Sequence, residues 1–247
     1  MQEKTKAFSE TAGNLGLKVS TKKTKSMRVN ARVQDSIKLN VEEIEEVDSF
    51  SYLGSKMSNT GDVEVEIRAP LAKASQAFAS LRSTWKAKNI SQKIKLRIFQ
   101  STVINTLLYG SQSWKMTKTI CNRLDVFQNR CLRRILNIFW PNTITDEELH
   151  RRTETESITT QVQRRRWRWI GHVLRQQTAD LSTVALRWTP DGRRIQGRPQ
   201  ETWRRTVERE MKGKGWTWGH LETWGHLERV PADRHRWRTL VEALCAT

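Results

Sequence analysis

Apolar residues in the middle of the chain recur three or four positions apart, which is the spacing of an amphipathic helix. This spacing covers residues 62–86, 92–108 and 117–138. Ser91 directly precedes the second segment and is a candidate N-cap, because its hydroxyl can accept a hydrogen bond from a backbone N–H. The third segment has one apolar stripe, formed by Ile120, Leu124, Phe127, Cys131, Ile135 and Ile138. Three such helices joined by short links predict a small helical bundle.

The first 58 residues show a different pattern, in which short apolar segments are separated by polar ones. Residues 2–14 predict a helix, and the segments "GLKVS", "KSMRVN", "SIKLN" and "EEVDSFSYLG" predict about four short strands. The acidic run from Glu42 to Glu46 is interpreted as a solvated turn region. These residues therefore predict a small α+β part that exposes strand edges.

The C-terminal part returns to a helical pattern. Its predicted helices cover about 145–152, 163–175, a segment that begins at Pro199, and about 232–245. The fold class predicted for the whole chain is mainly α, with a small α+β region at the N-terminus. The predicted domains are 1–58 for the α+β region, 59–140 for the helical bundle and 141–247 for a basic helical tail.

The stretch "QRRRWRWIGHVLR" places four arginines and two tryptophans side by side. A helical wheel puts Trp169 among the aliphatic residues, Trp167 at the edge of the apolar side, and Arg166 on that apolar side. Trp203 and Trp237 recur at helical spacing in later segments. Tryptophan at such positions is typical of a core, so Trp169, Trp203 and Trp237 are predicted core residues.

The charge of the chain indicates what kind of partner it binds. The net charge is +18 and the isoelectric point is about 10.4, which favours a polyanion, with nucleic acid ahead of an acidic membrane surface. Arginine suits phosphate because its planar fork donates two parallel hydrogen bonds. The alternative interpretation is a solvated, charged helix face. The candidate phosphate contacts are Arg123, Arg130, Arg134, Arg164, Arg165, Arg168, Arg175, Arg193, Arg194 and Arg198.

The sequence lacks the motifs that are typical of several classes of protein. The chain has three cysteines and no CxxC pair, which argues against a disulfide scaffold, and Cys121 and Cys131 are predicted to be buried thiols. It has no P-loop, GxSxG, HExxH or GxGxxG motif, so no cofactor or metal site is predicted. No signal peptide and no membrane-spanning segment is expected. An intracellular protein, nuclear or cytoplasmic and not secreted, is the expectation.

A family resemblance rests on motifs in a fixed order along nearly the whole chain. These are "NLGLKVSTKKTK" and "FSYLG", the long segment "EIRAPLAKASQAFASLRSTWKAKNISQKIKLRIFQSTVINTLLYGSQSW", "RLDVFQNRCLRRILNIFW", "RRRWRWIGHVLR", "GRPQETWRRTVERE" and "DRHRWRTLVEALC". Together they resemble the C-terminal part of reverse transcriptases from non-long-terminal-repeat, LINE-like retrotransposons of the RTE type. Each motif is weak alone, and the order and spacing carry the resemblance.

The resemblance implies a role for particular residues. Lys23 matches a lysine of the palm that assists nucleotide addition, and Tyr52, Leu53 and Gly54 match a primer-grip motif. The helical bundle is similar to a thumb, which holds the template–primer duplex by its backbone. The family's metal-binding aspartates have no counterpart in the chain, and polymerisation of this type needs two metal ions. Lys23 is therefore expected to be idle.

The sequence as a whole predicts a non-catalytic, nucleic-acid-binding fragment of an RNA-directed DNA polymerase. Its expected partner is RNA or an RNA–DNA duplex, bound through phosphates, and the upstream part of the polymerase is a further candidate partner. The alternative is an inert or co-opted protein-interaction remnant of a decayed element. The tandem "WGHLET" and "WGHLER" duplication is consistent with decay.

Overall fold

The computed structural model describes residues 1–28, 35–39, 42–52, 55–59, 63–176, 181–187, 202–212 and 233–245. Two compact units divide the chain, Met1–Pro70 and Leu71–Thr247. Helices dominate the described residues, and the strands among them lie in the first unit. The predicted fold class, mainly α with a small α+β part at the N-terminus, is confirmed.

Most of the α-helices match apolar periodicities of the sequence. In chain order they are α1 (Gln2–Asn14), α2 (Val63–Ser80), α3 (Arg82–Lys86), α4 (Gln92–Ile98), α5 (Asn105–Leu107), α6 (Lys118–Ile135), α7 (Asp146–Thr153), α8 (Ile158–Leu174), α9 (Leu181–Arg187), α10 (Trp203–Lys212) and α11 (Arg234–Cys245). A π-helix (Phe99–Ile104) joins α4 to α5, and a 3₁₀ turn (Ser111–Ser113) follows. The predicted helix over 92–108 is therefore continuous, with a π-helical segment in its middle, whereas the one over 62–86 divides into α2 and α3.

Three small two-stranded sheets lie in the described part of the first unit. Strand β1 (Lys25–Ser26) pairs in parallel with β4 (Glu45–Glu46), β2 (Lys38–Leu39) pairs antiparallel with β3 (Glu42–Glu43), and β5 (Ser49–Tyr52) pairs antiparallel with β6 (Ser55–Ser58). The interpretation of the acidic run as a turn is wrong, because its glutamates form β3 and β4. Salt bridges from Lys25 to Glu45 and from Lys38 to Glu43 hold these exposed glutamates in place.

The second unit has a core built around α6. Four residues of the predicted apolar stripe are buried, namely Ile120, Leu124, Cys131 and Ile135, while Phe127 and Ile138 are half-buried. Thr117 caps the helix by accepting a hydrogen bond from the Ile120 N–H at 3.3 Å. Ser91 caps α4 in the same way, which confirms the prediction. Cys131 is buried as predicted, whereas Cys121 is only half-buried.

A second apolar cluster is formed by residues of α8, α9, α10 and α11. Trp167 is 1% exposed and packs with its ring centroid 6.2 Å from that of Trp237. Trp169 is half-buried and meets Trp203 edge to face. The prediction that Trp169 anchors the core and Trp167 lies at its edge is therefore wrong, because α10 and α11 cover the Trp167 side more fully. The other members of this cluster are Ile170, Val173, Leu174, Leu186, Val207, Met211, Val241, Leu244 and Cys245.

Arg166 lies on the apolar side of α8, as the helical wheel predicts. It is fully buried, forms a salt bridge with Glu210 of α10, and donates from Nη2 to the Trp114 carbonyl oxygen at 2.8 Å. Burial of this charge is tolerated because a carboxylate and a carbonyl replace the water that it loses. Within the described residues, no helix is both long and apolar enough to cross a membrane.

Candidate nucleic-acid interface

A groove of about 760 Å³ in the second unit collects several of the predicted arginines. Its walls come from α4, the π-helix, the C-terminal turn of α7, the following loop and α8. Two acidic side chains, Glu154 and Glu156, line it, so the lining has an excess of four positive charges. The six basic residues of this basic groove are Lys93, Arg97, Arg152, Arg164, Arg165 and Arg168.

Buried polar contacts between α6 and α8 position the arginines. Gln128 of α6 donates from Nε2 to the Glu156 carbonyl oxygen at 2.8 Å and accepts from the Ile158 N–H at 2.9 Å. Asp125, one turn earlier, accepts hydrogen bonds from the N–H and hydroxyl of Thr159. These contacts satisfy N–H groups at the first turn of α8, which would otherwise lack helical partners. They fix where α8 begins and therefore which of its residues face the groove.

Arg165 is anchored in the groove by two neutral acceptors. Its guanidinium donates to the Leu108 carbonyl oxygen at 3.1 Å and to Asn105 Oδ1 at 2.8 Å. Both acceptors are neutral, so the positive charge is held in position without being neutralised. Burial, and then the nearby charge of Arg168, lower the pKa of Arg165 below its ordinary value. A phosphate bound beside it would relieve this unfavourable electrostatic environment.

Arg164 and Arg168 are paired with carboxylates. Arg164 forms salt bridges with Glu156 and with Glu242 of α11, and Arg168 contacts the same Glu242 at 3.1 Å. Burial lowers the pKa of Arg164, but the hydrogen bond and charge of Glu156 and the charge of Glu242 raise it by more. Glu242, which pairs with both arginines, lies 78 residues from Arg164 and 74 from Arg168, so this pairing is not visible in the local sequence. Arg168 remains 57% exposed and shares its carboxylate, so it can still reach a ligand.

The groove residues of α4 were not among the predicted site residues. Lys93 and Arg97 stand four residues apart on α4, so they lie on the same side of that helix. Gln100, the next residue on this side, donates from Nε2 to Gln161 Oε1 of α8 at 3.0 Å. Among the described residues, neither Lys93 nor Arg97 forms an ion pair. Their spacing on the polar face of the predicted helix is the signal that the sequence offered.

The third basic contribution comes from the end of α7. Arg152 lines the groove and pairs with Glu148 at 2.6 Å, and Arg151 pairs with the same carboxylate. Hydrogen bonds from Arg151 and Arg152 hold the pKa of Glu148 at about 2, so this carboxylate stays ionised. Thr145 caps the helix by accepting a hydrogen bond from the Glu148 N–H, at the start of the helix predicted over about 145–152. Arg152 is thus a lining cation whose charge is partly offset by Glu148.

The other predicted contacts do not line this groove. Arg123, Arg130 and Arg134 are exposed on α6, and Arg175 follows the end of α8. Burial, and then the charge of Arg234, lower the pKa of Arg175. The positions Arg193, Arg194 and Arg198 lie outside the described residues, as does Pro199.

The palm-like residues lie in the first unit. Lys23 is exposed in the turn before β1, where its N–H donates to the Ser20 carbonyl oxygen at 3.2 Å. The backbone of Tyr52 pairs with Ser55 in the β5–β6 hairpin, and its side chain is outside the described part of the chain. Leu53 and Gly54 are also outside the described residues. Their assignment to a primer grip stays a prediction.

Comparison with known proteins gives one informative match. A Caenorhabditis elegans protein described as transposon-derived and uncharacterized is 25% identical over 242 residues, which cover 92% of this chain and 83% of that protein. The chain resembles a transposon-derived protein. No family model and no solved structure matches it. The similarity supports a transposon origin, and it spans the basic groove because it covers most of the chain.

Proposed function

We propose that this transposon-related chain binds RNA or an RNA–DNA duplex by its phosphates in the basic groove. The reverse-transcriptase resemblance noted in the sequence makes template–primer holding the specific role that we infer. The observation that carries the proposal is the groove itself, in which cations from α4, α7 and α8 line one cavity. The role is binding without catalysis, because the lining is mainly guanidinium, ammonium and amide groups, which hold phosphate.

Three of the cations are the strongest candidates for phosphate contact. Within the described residues, Lys93, Arg97 and Arg165 have no carboxylate partner, so their charges are available to a polyanion. Binding would release counterions from the nucleic acid, which makes affinity depend steeply on salt. Contacts of this kind set position and carry little sequence information. We therefore expect binding that is weakly dependent on sequence.

The test is a salt titration of binding to labelled duplexes and single strands by fluorescence anisotropy. The double variant Lys93→Gln/Arg97→Gln removes two unpaired cations from one wall of the groove. We expect about tenfold weaker binding at moderate salt, since each lost contact is worth about 0.7 kcal/mol. The slope of log affinity against log salt should fall by about 1.8 on duplex DNA, about 0.9 for each contact.

Lys73→Gln is the matched control, because Lys73 is exposed on α2 and does not line the groove. It should leave the affinity within about twofold and reduce the salt slope by much less. Equal losses in the control and the groove variant would mean that only total charge matters. A flat salt dependence of the unaltered protein would contradict the proposal outright.

A second candidate function is a protein-interaction or inert remnant of a decayed element. The observation that favours it is the internal pairing of Arg164 and Arg168 with Glu156 and Glu242, which uses arginines for stability instead of ligand binding. The similarity to an uncharacterized transposon-derived protein is compatible with this reading as well. Under this alternative the salt titration described above would show no binding to either duplex or single strand.

A further inference from the structure

A second cavity, of about 470 Å³, lies between the α2–α3 corner and the end of α6. Its size falls in the range of about 300–1,000 Å³ that is typical of small-ligand pockets. Aromatic rings and cations share its lining, and it is separate from the basic groove because the two have no lining residue in common. The residues that matter here are Phe78, Arg82, Trp85, Lys86, Arg134 and Phe139. We refer to this cavity as the aromatic pocket.

Two stacked rings form the inner wall of the aromatic pocket. Phe78 and Trp85 have ring centroids 5.1 Å apart and planes inclined by 16°. The Trp85 indole N–H donates to the Phe78 carbonyl oxygen at 2.8 Å, which fixes the α2–α3 corner. Both rings are buried, at 6% and 4% exposure, so this wall is rigid and apolar.

Three cations surround the opening. Arg82 and Lys86 are one turn apart on α3, and Arg134 is in the last turn of α6. All three are exposed, and in the part of the chain that the structure describes none of them forms an ion pair. The lining of the pocket includes no acidic side chain among its described residues. The opening therefore favours an anionic ligand.

An exposed aromatic pair stands at the outer side. Phe139, which lines the pocket, is 59% exposed, and the next residue, Trp140, is 87% exposed. The backbone that leads to them is fixed, because Asn137 adopts φ 56° and the Ile138 N–H donates to the Arg133 carbonyl oxygen at 2.9 Å. This is a helix-ending motif with a left-handed residue after the last turn. Large apolar rings held in water at a fixed place are a feature of binding surfaces.

We propose that the aromatic pocket accepts an unpaired base of a single-stranded nucleic acid, which stacks on Phe139 while its flanking phosphates contact Arg82, Lys86 and Arg134. Stacking on aromatic rings combined with backbone contact to cations is how proteins hold single strands without reading sequence. An apolar protein side chain would fill the cavity but would leave three cations without anionic partners. The inference rests on the proposed nucleic-acid binding. It adds a single strand as a second ligand, bound at the aromatic pocket and not in the basic groove.

The test uses the full chain and a 12-nucleotide oligothymidine that carries one 2-aminopurine, whose fluorescence is quenched by stacking. The same strand annealed to its complement provides the duplex. Phe139→Ala should weaken single-strand binding about tenfold and remove the quenching, and should change duplex affinity by less than twofold. Phe139→Trp should retain both properties, because it keeps an aromatic face. Arg82→Gln/Lys86→Gln should weaken single-strand binding while keeping the quenching of the bound base.

Phe8→Ala is the matched control, since Phe8 is an exposed phenylalanine, 65% accessible, that does not line the pocket. It should leave single-strand affinity unchanged. If Phe139→Ala binds the single strand within twofold of the unaltered protein while duplex binding persists, the pocket assignment is wrong and the proposed function survives. If the unaltered protein binds neither form, the inference and the proposed function both fail. Unchanged far-UV circular dichroism confirms that each variant is folded.

Discussion

Arg166 is the residue on which the interior of the second unit most depends. Its side chain is fully buried, yet its charge meets Glu210 and the Trp114 carbonyl oxygen. Glu210 in turn accepts a hydrogen bond from the Trp167 indole N–H at 2.9 Å. Burial raises the pKa of Glu210, and the charge and hydrogen bond of Arg166 lower it by less, so the pKa stays above its ordinary value. Removing either partner leaves the other with an uncompensated desolvation cost.

Arg166→Met should lower the free energy of unfolding by about 3–5 kcal/mol, because Glu210 then stays buried without its cation. The loss should depend on pH. A carboxyl pKa that is raised on folding contributes stability below its unfolded pKa and loses it as pH rises through the folded pKa. Removing Arg166 raises the pKa of Glu210 further, so the deficit should be larger at pH 8 than at pH 5. Urea denaturation at the two pH values measures it.

The matched control is the double variant Arg166→Met/Glu210→Gln, which removes both charges together. It should recover much of the stability and remove most of the pH dependence of the deficit, since a neutral amide does not titrate and costs less to bury than a lone carboxylate. A single variant that is as stable as the unaltered protein at both pH values would show that the ion pair contributes nothing.

For single residues, the sequence predicted the helix face on which a side chain lies better than it predicted the ion-pair partner of that side chain. It placed Arg166 on an apolar face, but no local pattern indicated that Glu210 would meet it there. It likewise read Arg164 and Arg168 as unpaired, although Glu242 reaches both from α11. These partners lie 44 to 78 residues away and are set by how α8, α10 and α11 pack, which helical periodicity does not report.

Among the elements, α8 has the central place in the second unit. One side of this helix lines the basic groove, and another packs against α10 and α11. Gly171 marks the closest approach, since a Cβ built there would overlap the indole ring of Trp237. That indole donates its N–H to the Trp167 carbonyl oxygen at 3.1 Å, so it has little freedom to move aside. The glycine is therefore required by packing, in spite of its poor helix propensity.

Gly171→Ala tests this close approach. Alanine gains about 1 kcal/mol of helix propensity, but the overlap with Trp237 should cost more, for a net loss of about 1–3 kcal/mol. Gly13→Ala is the matched control, because Gly13 lies within α1 and a Cβ there meets nothing within 4 Å. That change should stabilise its unit by about 0.5–1 kcal/mol. Thermal unfolding followed by circular dichroism should show opposite signs, and a stabilising Gly171→Ala would refute the close packing.

The elements themselves were largely predictable, and the exceptions have physical reasons. Helices α6 and α7 lie where the sequence predicted them, and Ser91 caps α4 as predicted, because amphipathic stripes and capping residues are local features. Helix α9 was not predicted. Its buried Thr183 donates to the Val173 carbonyl oxygen of α8 at 3.2 Å, so this short helix depends on a contact with another helix. The sequence predicted the groove residues of α8, where the arginines are adjacent. It did not predict those of α4, where Lys93 and Arg97 are four residues apart.

At the scale of the whole molecule, the charge of +18 is distributed over two compact units with unequal cores. The predicted division at residues 58 and 140 stays a prediction about domains. Among its described residues the first unit buries few apolar side chains, namely Ala12, Leu39, Ile44, Ile67 and Pro70. The second unit contains the α6 core and the Trp167 cluster. Because buried apolar area is the main favourable term in folding, the two units should differ in stability.

Amide hydrogen exchange followed by mass spectrometry tests this difference in the intact chain. We expect α1 and the β5–β6 hairpin to exchange through openings of low free energy, because short strands and a small core are cheap to open. Peptides from α6 and α8 should be the slowest, since buried side chains and the Gln128 contacts tie these helices together. Protection of α1 equal to that of α6 would mean that the two units open as one. In that case the basic groove could not retain its structure when the first unit opens.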